Sequence, residues 1–313
     1  MECRFELDAP FYNRDAGFSV WTFGRRHGKE YFIKQFLDPV YPEGDVPGAQ
    51  AQREYCRRFE EEKCGLYRAI SEASDGNVVR PECFFRSGGR YYLAMPRIRR
   101  EKGLELREMS KQPIEERRMV CLTLSHALMS LHERGLVHSD LKPENVLLTR
   151  SRSGHCVAKL IDFDASFFAV RPPDAEHLQF DEAYVAPEVL LYVAGECSKV
   201  DGRCDVFSLG LLLHEVLTGR MPEYGVEFGS AAEALLCERP VTLSPDLSEQ
   251  ERALLYRMLS FRSEDRCGAG QAYETFAGLL RPEKPAPEPK PQPKPKKKKT
   301  GDMGDWFQAA GEL

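Results

Sequence analysis

A chain of 313 residues with a net charge of −5 has no global attraction for nucleic acid or an anionic membrane surface. Its composition, 42% hydrophobic and 30% charged, is that of an ordinary globular protein, long enough for one large domain or two lobes around a cleft. No apolar run approaches bilayer length, and the start, Met1 to Asp8, lacks the apolar stretch of a secretion signal. The ten cysteines are scattered without a Cys-x-x-Cys pair, so reduced thiols in a cytoplasmic setting are expected in place of a disulfide framework or a metal site.

Residues 11–36 alternate aromatic and polar groups between Gly17, Gly24 and Gly28, the pattern of hairpin strands. Prolines and glycines crowd residues 38–50, which predicts a loop. Residues 51–72 are rich in Arg and Glu, with Phe59, Leu66 and Ile70 on one side, and predict a helix. Strand chemistry returns over 79–98, in Cys83-Phe84-Phe85 and Tyr91-Tyr92-Leu93-Ala94-Met95. Then the chain turns helical. Pro113 opens a helix with Val120, Leu124, Leu128 and Leu131 spaced to face a core, and Gly135 closes it. Residues 204–218 are almost wholly apolar and predict a helix buried all round. Ser248 and Glu251 form a capping box ahead of Leu254 and Met258. Residues 282–300 alternate proline with charge and end in four lysines, Lys296 to Lys299, an extended semi-stiff linker. Beyond it, Trp306, Phe307, Ala310 and Leu313 suit a short amphipathic anchor, so residues 301–313 are a candidate for partner docking.

The chemistry concentrates in the middle. Residues 138–145 read His138-Ser139-Asp140-Leu141-Lys142-Pro143-Glu144-Asn145, and Asp162-Phe163-Asp164 begins seventeen residues after Asn145. This spacing suits movement of a phosphoryl group. Asp140 can accept a proton from an attacking hydroxyl, Lys142 can lie against the transferred phosphate, and Asn145 and Asp162 can hold magnesium from two sides.

The string resembles the catalytic loop and metal-binding segment of eukaryotic-type (Hanks-type) serine/threonine protein kinases, with a bacterial cast to Ile161-Asp162-Phe163-Asp164. Further stations follow in order: Ile33-Lys34 near the start, Val185-Ala186-Pro187-Glu188, Asp205 to Gly210, and Arg266. The resemblance covers about residues 12–280 and implies an α+β bilobal fold. The expected divisions are a β-rich lobe over 1–96, a hinge and helical lobe over 97–281, the linker 282–300 and the end segment 301–313.

The resemblance also implies ATP and Mg2+ (Mn2+ as a substitute), a protein substrate, no nucleic-acid partner and no membrane span. Lys34 is expected at the α- and β-phosphates, held by a helix glutamate. Glu60, Glu61 and Glu62 compete for that part, and Glu62 is the choice because Phe59 stands three before it and Leu66 four after. Met95 is expected as gatekeeper, with adenine bonded at the Pro96 carbonyl and the Ile98 N–H. Lys142 fits the serine/threonine branch, and His138 packs the loop. Glu188 and Arg266 are expected as a buried ion pair.

Four departures stand out. The phosphate-covering loop, Arg14 to Ser19, keeps only Gly17, with Ser19 at its end. Phe32 replaces a small residue of the adenine roof. Asp164 replaces a glycine, adding a carboxylate near the metals and restricting the backbone. Ser139 replaces the arginine that grips a phosphorylated activation segment, and between Asp162 and Glu188 the only hydroxyl residues are Ser166 and Tyr184. The expected function is a serine/threonine protein kinase active without phosphorylation of that segment. A nucleotide-binding scaffold with weak or no catalysis is the alternative. A small-molecule phosphotransferase of related fold is disfavoured by Val185 to Glu188 with Arg266.

Overall fold

In a computed structural model the described residues are 4–13, 19–44, 47–99, 101 and 103–281. The linker 282–300 and the candidate docking segment 301–313 lie outside them. The first part of the chain is a five-stranded antiparallel sheet with one helix. The strands are β1 Glu6–Leu7, β2 Ser19–Arg26 and β3 Lys29–Phe36, then, after helix α1 (Ala49–Ala73), β4 Cys83–Ser87 and β5 Arg90–Pro96. Their order across the sheet is β1-β2-β3-β5-β4.

Period-two alternation gives this sheet two apolar faces. Tyr31, Ile33 and Ala94 gather on one side with Phe5, Phe11 and Tyr92. Phe36, Leu93 and Met95 join the main core on the other, with Phe32, Phe59 and Phe84 packed against it. The sequence predicts a strand starting at Val79. Instead Val78 makes only an isolated bridge with Leu160, because Pro81 stands before the strand and strand pairing begins at Cys83.

The second part is helical, with α2 Ile114–His132, α3 Pro187–Val193, α4 Arg203–Thr218, α5 Ala231–Leu236, α6 Glu249–Met258 and α7 Ala269–Leu279. Two short hairpin-like sheets sit between α2 and α3. One pairs β6 (Leu136–Val137) with β9 (Phe167–Phe168), and the other pairs β7 (Val146–Arg150) with β8 (Cys156–Leu160). The predicted punctuation is present. Pro113 precedes α2, Gly135 takes the left-handed conformation with φ 68° after it, and the Ser248–Glu251 capping box starts α6. Helix α4 is buried from Cys204 to Leu217 except at Glu215, so its polar residues must find internal partners. Among the described residues no helix is long and apolar enough to cross a membrane. The described cysteines are free thiols.

Candidate active site

One buried carboxylate shapes the central loop. Asp205, on the first turn of α4, is 1% exposed and accepts the backbone N–H groups of His138 and Ser139, each at 2.8 Å. His132 Nε2 lies 3.0 Å from the same carboxylate. Ser139 is held at φ 72°, a conformation costly for a side-chain-bearing residue. The two charge-assisted bonds fix it there. The sequence places Asp205 in a matching helix without giving it this task; its signal is an aspartate ahead of a long apolar run. His138 packs edge-on to Phe163 at 5.3 Å, as expected of a structural histidine.

The pinned loop sets out Asp140, Lys142 and Asn145. Asp140 Oδ2 accepts from Asn145 Nδ2 at 2.9 Å and pairs with Lys142 Nζ at 2.9 Å. Its Oδ1 is buried without a hydrogen-bond partner. Such an orphan acceptor is costly in a native protein and marks a position where a donor belongs. Lys142 also lies 3.6 Å from Asp181. Burial works against the charge of the Lys142 ammonium, but the Asp140 and Asp181 carboxylates outweigh it and raise its pKa.

Lys34 reaches the same region from β3. In the register it stands opposite Trp21 of β2 and Leu93 of β5. Its Nζ lies 3.2 Å from Asp162 Oδ1 and 2.6 Å from Asp164 Oδ2. Burial of Lys34 disfavours its charge, yet Asp164 and then Asp162 more than compensate, so its pKa is raised. Asp162 itself sits at φ 59°.

The expected helix glutamate is corrected here. Glu60, Glu61 and Glu62 are all exposed, and the ion-pair partners of Lys34 are Asp162 and Asp164. With about 3.6 residues per turn, Cys56, Phe59, Lys63, Tyr67 and Ile70 form the inward stripe of α1, and Glu62 falls to its side. The residue that α1 presents to the site is Lys63, whose Nζ donates to the Asp164 carbonyl at 3.1 Å. In the sequence the acidic run Glu60 to Glu62 masks the four-residue spacing Phe59–Lys63–Tyr67 that puts Lys63 inward.

The expected adenine face is aromatic. Phe32 is opposite Phe23 and Met95, so all three share the sheet face of Lys34. The Phe32 ring stacks on Trp21 at 5.6 Å and meets Phe23 edge-on at 6.1 Å. Met95 is buried, Pro96 exposed, and Ile98 partly buried in the extended stretch that follows β5. Arg97 N bonds to the Glu30 carbonyl at 3.0 Å, and Arg99 forms a fork on the Glu30 carboxylate, fastening this stretch to β3. Ser19 is buried at the start of β2, whereas Gly17 lies outside the described residues.

The hydroxyls in and beside the segment between Asp162 and Glu188 are all engaged. Ser139 Oγ donates to the Gln179 carbonyl at 2.8 Å, and Ser166 Oγ to the His138 carbonyl at 3.1 Å. Tyr184 is buried and donates to Glu215 at 2.6 Å; burial and that carboxylate push its phenol pKa up. Glu188 and Arg266 are joined by two bonds of 2.6 and 2.8 Å.

The donor set fits a magnesium ion shared with phosphate. Among the described residues no group of three or more His, Cys, Asp or Glu side chains forms a cation cage. The Asn145 amide nitrogen is committed to Asp140, which leaves its oxygen and the Asp162 carboxylate as protein donors. Magnesium characteristically takes one or two carboxylates and completes its shell with water and substrate phosphates.

The comparisons with known proteins converge on this arrangement. The family model described as a protein kinase domain matches residues 62–276, well over half of the chain. Similar curated proteins include the serine/threonine-protein kinase pkn2 of Myxococcus xanthus, 32% identical over 173 residues, which covers 55% of this chain and 20% of that protein. The serine/threonine-protein kinase ULK3 of Xenopus laevis is 35% identical over 139 residues, covering 44% and 28%. The MAP kinase-interacting serine/threonine-protein kinase mnk-1 of Caenorhabditis elegans is 32% identical over 165 residues, covering 48% and 23%. The match thus spans less than a third of these relatives' length. The ordered motifs, the sheet-plus-helical architecture and the family match together place this chain in the protein kinase family.

Proposed function

We propose that this protein is a serine/threonine protein kinase that uses ATP with Mg2+ and is competent without phosphorylation of its activation segment. The observation that carries the reading is Asp140: both Lys142 and Asn145 address Oδ2, and Oδ1 remains without a donor. The hydroxyl of a serine or threonine substrate would approach the Asp140 carboxylate, whose side chain is 20% exposed although Oδ1 itself is closed to solvent. In this reading Asp140 orients the hydroxyl and accepts its proton. Lys142 lies beside the transferred group, and Lys34 meets the α- and β-phosphates. Asn145 and Asp162 would hold the magnesium, which supplies charge neutralisation. The names of the relatives support the serine/threonine branch. A protein substrate and a cytoplasmic location belong to the same proposal.

Constitutive competence is supported by these engaged hydroxyls. Ser139 supplies no cationic side chain for a phosphate, and Ser166 and Tyr184 are buried with bonded hydroxyls. Treatment with a broad phosphatase is expected to leave the transfer rate on a serine peptide unchanged. A large loss, recovered on rephosphorylation of Ser166 or Tyr184, would refute this part. Magnesium-dependent nucleotide binding, followed by phosphoamino-acid analysis of the product, tests the whole reading; phosphotyrosine as the sole product would overturn the branch assignment.

One observation favours the second reading, a nucleotide-binding scaffold. The Trp21–Phe32 stack occupies the sheet face next to Lys34 and Met95. Nucleotide binding without transfer to any protein would select the scaffold.

A further inference from the structure

We propose that Asp164 is the positioning residue of Lys34 and that Lys63, on α1, secures Asp164 in that role. This rests on the reading of the cleft as a nucleotide site. Three observations lead to it. Asp164 Oδ2 makes the shortest contact of Lys34, 2.6 Å, inside a site where the Lys34 side chain is almost wholly buried. The carboxylates of α1 nearest in sequence, Glu60, Glu61 and Glu62, are exposed. The α1 residue that does reach the site carries a positive charge, and it grips the backbone of Asp164 at 3.1 Å.

The charges make the arrangement self-consistent. Lys34 and Lys63 lie close enough to repel each other, and Asp162 and Asp164 act on both. Two cations, Lys34 buried and Lys63 partly buried, facing two partly exposed carboxylates are neutral as a group, which lowers the cost of withdrawing them from water. Either exchange alone breaks the balance. A glutamate at 63 would set three carboxylates against Lys34, and a glycine at 164 would set two lysines against Asp162. One turn along α1, the Tyr67 hydroxyl is buried without a partner and feels the charge of both Asp164 and Asp162.

The consequence concerns what controls Lys34. If α1 supplied the carboxylate, movement of the helix would release the lysine. Here the carboxylate belongs to the loop that also carries Asp162. The readiness of Lys34 follows that loop, with α1 acting through the Lys63 bond to its backbone. Nucleotide binding then orders Lys34 and Asp162 as one unit, since Asp164, which holds the lysine, lies two residues from Asp162.

The test exchanges the charges. Asp164→Asn should weaken binding of a fluorescent ATP analogue by about tenfold or more, the loss of one charge-assisted bond. Lys63→Glu should do likewise. The paired exchange Lys63→Glu with Asp164→Gly moves the carboxylate to α1, and should recover affinity to within about threefold of the unaltered protein. A pair no tighter than the weaker single variant would overturn the proposal. So would Asp164→Asn that keeps its nucleotide affinity and alters only the magnesium dependence, since Asp164 would then be a metal ligand. Thermal melting without nucleotide provides the second readout. Lys34→Met and Asp164→Asn should not add, because each breaks the same contact; additive losses contradict the pairing. Should the unaltered protein bind no nucleotide while the melting cycle still shows coupling, the nucleotide reading fails and the Lys34–Asp164 assignment stands.

Discussion

Asp162→Ala and Asp140→Asn are each expected to abolish phosphoryl transfer with the fold intact. Members of this family turn over at about 1–100 per second, so the loss to background is a large and easily read effect. The two changes act differently. Asp162 is partly exposed, lies 3.2 Å from Lys34, and in the proposed reading its carboxylate would hold the magnesium. Its removal takes away charge neutralisation, and added magnesium should not restore the rate. Asp140→Asn keeps the size of the side chain but puts an amide where Lys142 and Asn145 now donate. The substituted residue cannot accept a proton: its carbonyl oxygen can take the two donors that Oδ2 takes, but its NH2 group then stands at the Oδ1 position as a donor. Neither residue belongs to the apolar core, so melting temperatures should shift little. Circular dichroism beside a steady-state assay makes the comparison, and full activity in both variants would remove the assignment.

Arg266→Ala is expected to be the most destabilising single change among the polar residues. The Arg266 side chain is fully buried and makes five bonds: two to the Glu188 carboxylate, and one each to the carbonyls of Ser260, Arg203 and Phe261. Its guanidinium also lies over the Phe207 ring at 5.0 Å. Removing it strands the Glu188 carboxylate and three carbonyls. Breaking one side of a buried pair costs about 3–5 kcal/mol. Denaturant titration measures the loss, and Arg266→Lys should recover only part of it because a point charge cannot make the two-pronged contact. An unchanged unfolding midpoint for Arg266→Ala would show the contact carries no weight. Since Glu188 begins α3 directly after the activation segment, the same variant should also loosen that segment to protease.

The parts of the fold legible in the sequence are those where local chemistry and burial agree. Pro113, Gly135, the Ser248–Glu251 box and the unbroken apolar run of α4 each depend on neighbours a few residues away, and all four are realised. The short strands β6 to β9 were not legible. They pair across 6 to 32 positions and are too brief for an alternation signal. The site divides the same way. Asp140, Lys142 and Asn145 lie within one turn of chain, and their spacing fixes what they do together. The partner of Lys34 depends on how a 25-residue helix is rotated and on which loop faces it. Three adjacent glutamates made the wrong rotation attractive. Lys63 and Asp164 each break a local expectation, and only their proximity in space makes sense of both.

The measurement closest to the central claim is transfer of labelled phosphate from ATP with magnesium to a serine-containing protein substrate, run beside Asp140→Ala. Label appearing on serine or threonine with the unaltered protein, and absent with Asp140→Ala or on chelation of magnesium, is the predicted result. Equal label in both proteins, or none in either across a panel of basic, acidic and neutral protein substrates, contradicts the claim that Asp140 orients a hydroxyl for phosphoryl transfer in this cleft.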